Sequence, residues 1–274
     1  MVVEGFERNA LPSTVDHLLR FCGALSALPS ISLEGLIVGS QGFVLVADLL
    51  GFGAMVSNLT RQGPGKLDDR ITAWTKLVAT AAEHAGVSQF RLMSDTVFAA
   101  VGNSRENFHR LVGFAQELLS VGIEQSFPIR GAIAGGSYVW GDLTYGEAVI
   151  RAHALEQRQN WVGVACDLDA SPHFEKAWNP ERVVAYLVPM KSGTMQIIPA
   201  VAWQVPKTHD LLSLMVQGGL LRHGEQLTWP VGEKLNNTAL FGLYLEQLRI
   251  RKLSGEHFLG ECTTHLIEAA LQGQ

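Results

Sequence analysis

Cysteine is scarce in this chain of 274 residues, and its three cysteines, Cys22, Cys166 and Cys262, lack metal-ligand spacing. A small, odd number of scattered cysteines argues against a disulfide framework and is typical of a reducing compartment. Basic residues are also few: 21 Lys and Arg stand against 26 Asp and Glu, which gives a formal net charge of −5 and a sequence pI of about 6.0. A general nucleic-acid binder would carry a basic face, so we expect no nucleic-acid partner and only local binding of any phosphate ligand.

Long apolar runs are missing as well. Gln41 and Asp48 interrupt the longest candidate before it reaches the length of a membrane-spanning helix. The N-terminus has no basic flank followed by an apolar segment, so no secretory signal is expected. Hydrophobic residues nevertheless make up 47% of the sequence, which is enough for an ordinary buried core. We therefore expect a globular, cytoplasmic protein without a membrane span.

The most informative segment is the uninterrupted apolar run from Phe43 to Ala47, the pattern of a strand buried on both faces. The run ends at Asp48, and the turn Gly51-Phe52-Gly53 follows before the sequence becomes helical. The N–H groups of such a turn can face an anion at the helix N-terminus. A capping Asp in an ordinary tight turn explains the same residues, and for this segment alone it is the better explanation.

A second acid, Asp95, favours a functional site over a simple capping role for Asp48. Two apolar-rich runs flank Met93-Ser94-Asp95, which predicts a tight hairpin with Asp95 beside the end of the central strand. Two carboxylates would then share one site with the N–H groups of the glycine turn. Carboxylates and free amides together indicate a site for a metal and a phosphate.

The order of predicted elements is strand, two helices, hairpin, helix, strand, helix, strand. This order is typical of an α+β fold with a ferredoxin-like antiparallel sheet covered by helices. The strand from Pro128 to Ala134 is expected to stop at Gly135-Gly136 and to be followed by a short partner strand, Ser137 to Trp140. The helix after it is expected over Glu147 to Arg158.

We divide the chain into three parts. Residues 1–39 are an N-terminal helix, over about 12–27, with a lead-in. Residues 40–205 form the α+β core that carries the two acids. Residues 206–274 are a helical extension, with helices expected over 209–223, 237–252 and 256–272.

Four motifs resemble the catalytic domain of class III nucleotidyl cyclases, and together they span roughly residues 40 to 200. They are Val46-Ala47-Asp48-Leu49-Leu50-Gly51-Phe52, Met93-Ser94-Asp95, Arg130-Gly131-Ala132-Ile133-Ala134-Gly135-Gly136 and Tyr145-Gly146-Glu147-Ala148-Val149-Ile150-Arg151-Ala152. Within that family, residues 146–157 are most similar to the Pycsar pyrimidine cyclases of bacterial antiphage defence, which are uridylate and cytidylate cyclases.

The resemblance implies that Asp48, Asp95 and the backbone carbonyl of Leu49 bind two divalent ions, manganese or magnesium. Such ions prefer carboxylate and carbonyl oxygens, and a pair of them can polarise an attacking hydroxyl and stabilise a leaving phosphate. The implied reaction is attack of the ribose 3′-hydroxyl on the α-phosphate of a nucleoside triphosphate, with pyrophosphate leaving in line. Active sites of the family form between two subunits, so a homodimer is also implied.

The sequence departs from the family pattern in the helix after Tyr145-Gly146. Classical members carry an Asn and, four residues later, an Arg that serve the transition state, whereas the matching positions here are Ile150 and Ala154. Three nearby polar residues could replace them or could simply form a solvated helix face: Arg151, Gln157 and Arg158. Lys191 is a candidate for the family's triphosphate-binding lysine, with an ordinary surface lysine as the alternative.

Arg91 is the predicted determinant of the base, unless it is an ordinary exposed strand arginine. It lies four residues before Asp95, where adenylate-making relatives carry a Lys that contacts the base. Arg has only N–H donors, so it selects a base edge with acceptors, as in uracil and guanine. With the Pycsar-like helix, this predicts UTP as substrate and cyclic UMP as product, with Thr144 as a second contact from the opposite subunit. A cytidylate cyclase and a catalytically inactive nucleotide-binding relative are the alternatives.

Overall fold

The computed structural model describes residues 39–63, 65–167, 182–218, 220–221 and 227–251. The helices predicted over 12–27 and 256–272 lie outside these residues. Within the described ranges, no helix is long and apolar enough to cross a membrane.

Among the residues that the structure describes, seven strands form one open sheet in the order β2-β3-β1-β4-β5-β7-β6. Their bounds are β1 Ser40–Leu49, β2 Gln89–Met93, β3 Thr96–Gly102, β4 Ile129–Tyr138, β5 Gly163–Cys166, β6 Val183–Pro189 and β7 Met195–Val201. Neighbouring strands are antiparallel except β4 and β5, which run parallel. The predicted α+β fold with a largely antiparallel sheet is confirmed, with one parallel pair in addition.

Six described helices accompany the sheet: α1 Phe52–Gln62, α2 Lys66–Ala85, α3 Arg105–Glu124, α4 Glu147–Arg158, α5 Thr208–Gln217 and α6 Trp229–Arg251. The bounds predicted for α4 are confirmed. Helix α5 ends earlier than predicted, before Gly218, and α6 begins two turns earlier than predicted, with Pro230 in its first turn. Proline is tolerated there because its missing N–H would have no partner within the helix.

The central strand β1 separates two apolar layers. Large side chains fill the layer under α2 and α3, among them Phe43, Leu45, Trp74 and Phe108. The layer under α4 is made of smaller side chains, among them Val44, Val46, Ala134, Ala148 and Ala152. Because side chains alternate along a strand, Asp48 lies on the same face as Val44 and Val46, the face that α4 covers.

The predicted break of β4 at Gly135-Gly136 is wrong. Strand β4 continues to Tyr138 and pairs with β1 along its whole length, from Leu49 opposite Ile129 to Ser40 opposite Tyr138. Gly136 has φ +139°, and a Cβ there would lie 3.4 Å from the backbone nitrogen of Ala148. Its glycine therefore serves the close approach of α4 to the sheet and not a chain reversal.

Candidate functional site

Asp48 and Asp95 lie side by side at one end of the sheet. Strand β3 runs antiparallel to β1 with Thr96 opposite Asp48, and the backbone N–H of Leu49 donates to the carbonyl of Asp95 at 3.2 Å. The hairpin between β2 and β3 turns at Ser94-Asp95, where Ser94 adopts a left-handed φ of 59°. The tight turn predicted from the sequence is thus what brings the second acid to the end of the central strand.

The half-buried Asp48 carboxyl is held by the strand next to it. The Thr96 hydroxyl donates to its Oδ1 at 3.1 Å. Burial raises the pKa of Asp48, the charges of Asp95 and Glu156 raise it further, and the Thr96 hydrogen bond and Arg130 oppose the rise. Two carboxylates that repel each other in a partly desolvated site form a donor set suited to a hard divalent cation.

The donor set of this site is small. In the described part of the chain, no group of three or more His, Cys, Asp or Glu side chains is placed to hold a metal. A cation here would therefore depend on the two carboxylates, on backbone carbonyls such as that of Leu49, and on oxygens from a ligand. This limited set is typical of magnesium and manganese sites that share their ion with substrate phosphates.

A buried ion pair next to Asp48 was not predicted. Arg130 lies opposite Asp48 on β4 and is 6% exposed, and Glu156 of α4 is 3% exposed. The Arg130 Nε donates to Glu156 Oε1 at 2.7 Å, its Nη2 donates to the same oxygen, and its Nη1 donates to the carbonyl of Gln159 at 3.4 Å. Helical spacing offered a signal, since Glu156 follows the buried Ala148 and Ala152 at intervals of four residues.

The turn Gly51-Phe52-Gly53 forms the start of α1, directly after β1. Gly51 is the N-cap with a left-handed φ of 78°, and no side chain caps the helix. The Met55 N–H donates to the Gly51 carbonyl at 2.9 Å, while Phe52 packs partly against the core. The first N–H groups of a helix lack partners within it, so this turn presents donors next to the two acids.

Arg91 and Thr144 come together within one subunit. The Arg91 Nη1 donates to the carbonyl of Asp142 at 3.2 Å and reaches the Thr144 Oγ1 at 3.5 Å, and the guanidinium lies 5.4 Å from the Trp140 ring centroid. Thr144 was predicted to contact the base from the opposite subunit. In the structure, the backbone bridge between Val139 and Tyr145 closes the intervening loop, which places Thr144 beside Arg91 of its own chain.

The face that carries Asp48 also carries Arg91. Arg91 pairs with Phe98, which pairs with Val46, two residues before Asp48. Because paired residues of adjacent strands point to the same side of a sheet, all four side chains lie on one face. The predicted base-binding residue therefore lies on the same face of the sheet as Asp48.

The α4 positions that depart from the family pattern point away from the core. Ile150 is 70% exposed, and Ala154 is exposed as well. Of the suggested replacements, Arg151 pairs with Asp167 at 2.7 Å and with Glu147 at 3.5 Å, and Gln157 contacts His153 at 2.9 Å.

Lys191 lies close to the C-terminal end of α4. It occupies the turn between β6 and β7, and its backbone N–H donates to the carbonyl of Arg158 at 2.7 Å. Surrounding protein atoms and the charge of Arg130 lower the pKa of Lys191, whereas Glu156 and Asp48 oppose that shift. The side chain is thus within electrostatic reach of the acids, a relation that sequence alone did not establish.

No known family profile matches the chain, and no curated protein matches it. It is similar to the guanylate cyclase domain of RhGC from Catenaria anguillulae in complex with GTP, with 17% identity and a TM-score of 0.46 over 60% of this chain and 97% of that chain. The adenylyl cyclase CyaB from P. aeruginosa gives 16% identity and 0.45 over 59% and 94%. A bacterial light-regulated adenylyl cyclase gives 12% and 0.44 over 76% and 68%. At such values these likenesses do not assign a function to the chain.

Proposed function

We propose that the chain is a nucleotidyl cyclase, a phosphorus–oxygen lyase that converts a nucleoside triphosphate to a 3′,5′-cyclic nucleotide and pyrophosphate. The observation that carries the proposal is the juxtaposition of Asp48 and Asp95 beside the glycine turn that opens α1. The two carboxylates and the carbonyl of Leu49 are the proposed ligands of two manganese or magnesium ions. Such ions, when bound, polarise the attacking hydroxyl and neutralise charge on the phosphates.

The remaining residues of the site position the substrate. The Thr96 hydroxyl orients the Asp48 carboxylate, and the N–H groups of Gly51, Phe52 and Gly53 face the phosphates. With these groups holding the phosphates at one end of the sheet, the ribose lies between them and the base. No protein nucleophile is needed, because the substrate's own 3′-hydroxyl attacks.

We propose UTP as the preferred substrate and cyclic UMP as the product. Arg91 and Thr144 support this choice, since they lie together on the face of Asp48 and the guanidinium offers only donors. Uracil presents a carbonyl where cytosine and adenine present an amino group, so donor-to-donor contact disfavours CTP and ATP.

We propose that the enzyme works as a homodimer. Large apolar side chains are exposed around the site, in the hairpin, in the loop before α4 and on α4 itself: Met93, Leu143, Tyr145 and Ile150. Leu143 and Ile150 are 72% and 70% exposed, and large apolar side chains left this exposed support a surface that a partner covers. A second copy of the chain is the partner proposed.

The decisive experiment incubates the purified protein with each of the four ribonucleoside triphosphates and manganese, and identifies products by mass spectrometry. Cyclic UMP is expected as the main product, and none is expected from Asp48→Ala. The matched control is Asp68→Ala, which removes an exposed acid of α2. Absence of cyclic product from all four substrates would instead favour an inactive nucleotide-binding relative, in line with the apolar Ile150 and Ala154 on α4.

We further propose that the cyclic nucleotide is a second messenger in antiphage defence. The Pycsar-like residues 146–157 support this role, and they form α4 of the site. Plaque counts on bacteria that carry the native locus, with either the unaltered gene or Asp48→Ala, test it. Equal plaque counts for the two strains would remove the defence role while leaving the cyclase activity intact.

A further inference from the structure

Helix α6 docks next to the site through polar contacts with the segment that follows α4. The Thr238 Oγ1 accepts from the backbone N–H of Val162 at 2.9 Å, and Thr238 is 0% exposed. The Asn237 side chain donates from Nδ2 to the carbonyl of Asn160 at 2.8 Å. These bonds satisfy backbone groups of residues 160–162, so the start of α6 has a defined place beside the end of α4.

Aromatic packing fixes the same helix more firmly. Phe241 lies 4.8 Å from the Trp161 ring and 4.6 Å from the Tyr186 ring, measured between centroids. The Tyr244 hydroxyl donates to the carbonyl of Ala185 on β6. Helix α6 is therefore a built part of the core and not a loosely attached extension.

This docking brings Lys234 toward the site. Lys234 is half-buried and precedes Thr238 by one turn, and the Thr238 hydroxyl donates to its carbonyl at 2.7 Å. Its Nζ donates to the carbonyl of Pro230 at 3.1 Å, on its own helix. Burial and the charge of Arg130 lower the pKa of Lys234, opposed by Glu233. Lys234 thus lies within electrostatic reach of the guanidinium that faces Asp48.

Three separate parts of the fold that each carry a cationic residue contact residues 158–162. Lys191 donates its backbone N–H to Arg158, Arg130 donates to Gln159, and Lys234 lies on the helix turn held against Asn160 and Val162. Arg130 is paired with Glu156, but among the ion pairs of the described residues none involves Lys191 or Lys234. Burial and the charges of Arg130 and Lys234 lower the pKa of Lys191, and Glu156 and Asp48 offset only part of that repulsion between cations. A polyanion would relieve this repulsion.

We propose that Lys234 is a binding residue for the phosphates of the nucleoside triphosphate, acting beside Lys191 on the side of the site that faces residues 158–162. The inference rests on the proposed function and deepens it. Helix α6 lies beyond residues 40–200 that carry the family resemblance, so this chain supplies a cation from its own extension.

The test measures binding of inorganic triphosphate and of UMP by calorimetry, with the full chain at low and high salt. Lys234→Gln is expected to weaken triphosphate binding about tenfold, the loss of one charge-assisted hydrogen bond in a partly exposed site. UMP affinity should stay unchanged, because UMP lacks the outer phosphates. Lys234→Arg should retain most of the affinity, and the matched control Lys76→Gln, on the exposed side of α2, should retain all of it.

Equal triphosphate affinity of Lys234→Gln and Lys76→Gln would overturn the inference, even if the unaltered protein makes a cyclic nucleotide. A second result would also overturn it: Lys234→Arg binds triphosphate as weakly as Lys234→Gln and unfolds at a lower temperature than the unaltered protein. That pattern belongs to a structural role of Lys234. A tenfold loss in Lys234→Gln alone supports the Lys234 site. If the unaltered protein forms no cyclic product, that result still supports the phosphate site while the cyclase function fails.

Discussion

Arg130 of β4 lies directly opposite Asp48 of β1, yet its guanidinium donates to Glu156 of α4 and to a backbone carbonyl. The guanidinium that lies opposite Asp48 is thus already paired. Glu156 and Asp95 then add negative potential at Asp48, which raises its pKa beyond the effect of burial. Because Arg130 is already paired with Glu156, the negative charge of Asp48 and Asp95 is left to be balanced by a bound cation.

The first prediction concerns stability against pH. The pKa of Asp48 is raised in the folded state, so protonation of this carboxyl stabilises the fold. This contribution to the free energy of unfolding is complete below the unfolded pKa, near 3.8, and is lost as pH rises through the folded pKa. Asp48→Asn should therefore have a higher unfolding temperature than the unaltered protein at pH 7 in chelator. The difference should shrink as pH falls through the folded pKa of Asp48 and should be smallest below about 4. Calorimetric scans across pH check this, and a less stable Asp48→Asn at pH 7 would contradict it.

The second prediction concerns catalysis and the metal. Asp95→Ala and Asp48→Ala should each lower turnover at least ~10²–10³-fold, because each removes an oriented charge where the phosphate reacts. Both variants should keep the circular dichroism of the unaltered protein, as should the control Asp68→Ala. Manganese should raise the unfolding temperature of the unaltered protein and of Asp68→Ala but not of Asp48→Ala. Near-normal turnover in a folded Asp95→Ala would refute the two-carboxylate site.

The third prediction concerns the buried ion pair. Glu156→Gln leaves the Arg130 guanidinium buried without its carboxylate, so we expect a loss of about 3–5 kcal/mol in the free energy of unfolding. The exposed control Glu83→Gln of α2 should change it by less than about 0.5 kcal/mol. Urea unfolding measures both, and equal values for the two variants would show that the pair does not stabilise the fold.

A coupled outcome follows from the same pair. Without Glu156, the charge of Arg130 is free to act on Asp48 and lowers the pKa of that carboxyl. The stabilising effect of Asp48→Asn at pH 7 should then vanish or reverse in the Glu156→Gln background. A double-mutant cycle in urea gives this interaction directly. Additive effects of the two substitutions would mean that Glu156 and Asp48 are electrostatically independent.

Local patterns were sufficient to predict the first five strands and the two acids, but not the hairpin of β6 and β7. The apolar run of β1 and the short turn at Ser94-Asp95 specify both positions within a few residues of sequence, so periodicity and turn chemistry predict them. The Arg130–Glu156 pair joins residues 26 positions apart, and the Thr238 contact with Val162 spans 76 positions. Such contacts depend on how α4 and α6 pack on the sheet, which no local pattern states. The predicted strand break at Gly135-Gly136 was wrong for the same reason, because the role of this glycine pair is to allow the close approach of α4.

The fourth prediction concerns self-association. Ile150→Glu places a charge at an exposed apolar position of α4 and should weaken dimer formation by at least tenfold, about 1.4 kcal/mol. Leu240→Glu, on an exposed position of α6, is the control and should leave the dimer intact. Sedimentation over a dilution series measures the dissociation constant. A fully active monomer at high dilution would contradict the shared-site dimer.

Mixing two variants, each altered in a different part of the proposed site, tests the sharing of sites. If each site takes Asp48 from one subunit and α4 from the other, Asp48→Ala mixed with Arg158→Ala should regain part of the activity. Such mixed dimers contain one site in which both altered residues coincide and one intact site. Activity no higher than the sum of the separate variants would place the whole site within one chain.

The last prediction concerns the base. Arg91 already donates one N–H to the carbonyl of Asp142 and lies beside Thr144, so its remaining donors are oriented by the protein before substrate binds. A base that presents an amino group there leaves buried donors unpaired, at about 1–3 kcal/mol, which corresponds to ~5- to 150-fold preference for UTP over CTP. Arg91→Ala should remove most of that preference by lowering kcat/KM for UTP, without changing the manganese dependence. Arg110→Ala, an exposed arginine of α3, should change neither. Competition assays with UTP and CTP in one mixture measure the ratio, and equal or better use of CTP or ATP by the unaltered protein would overturn the assignment.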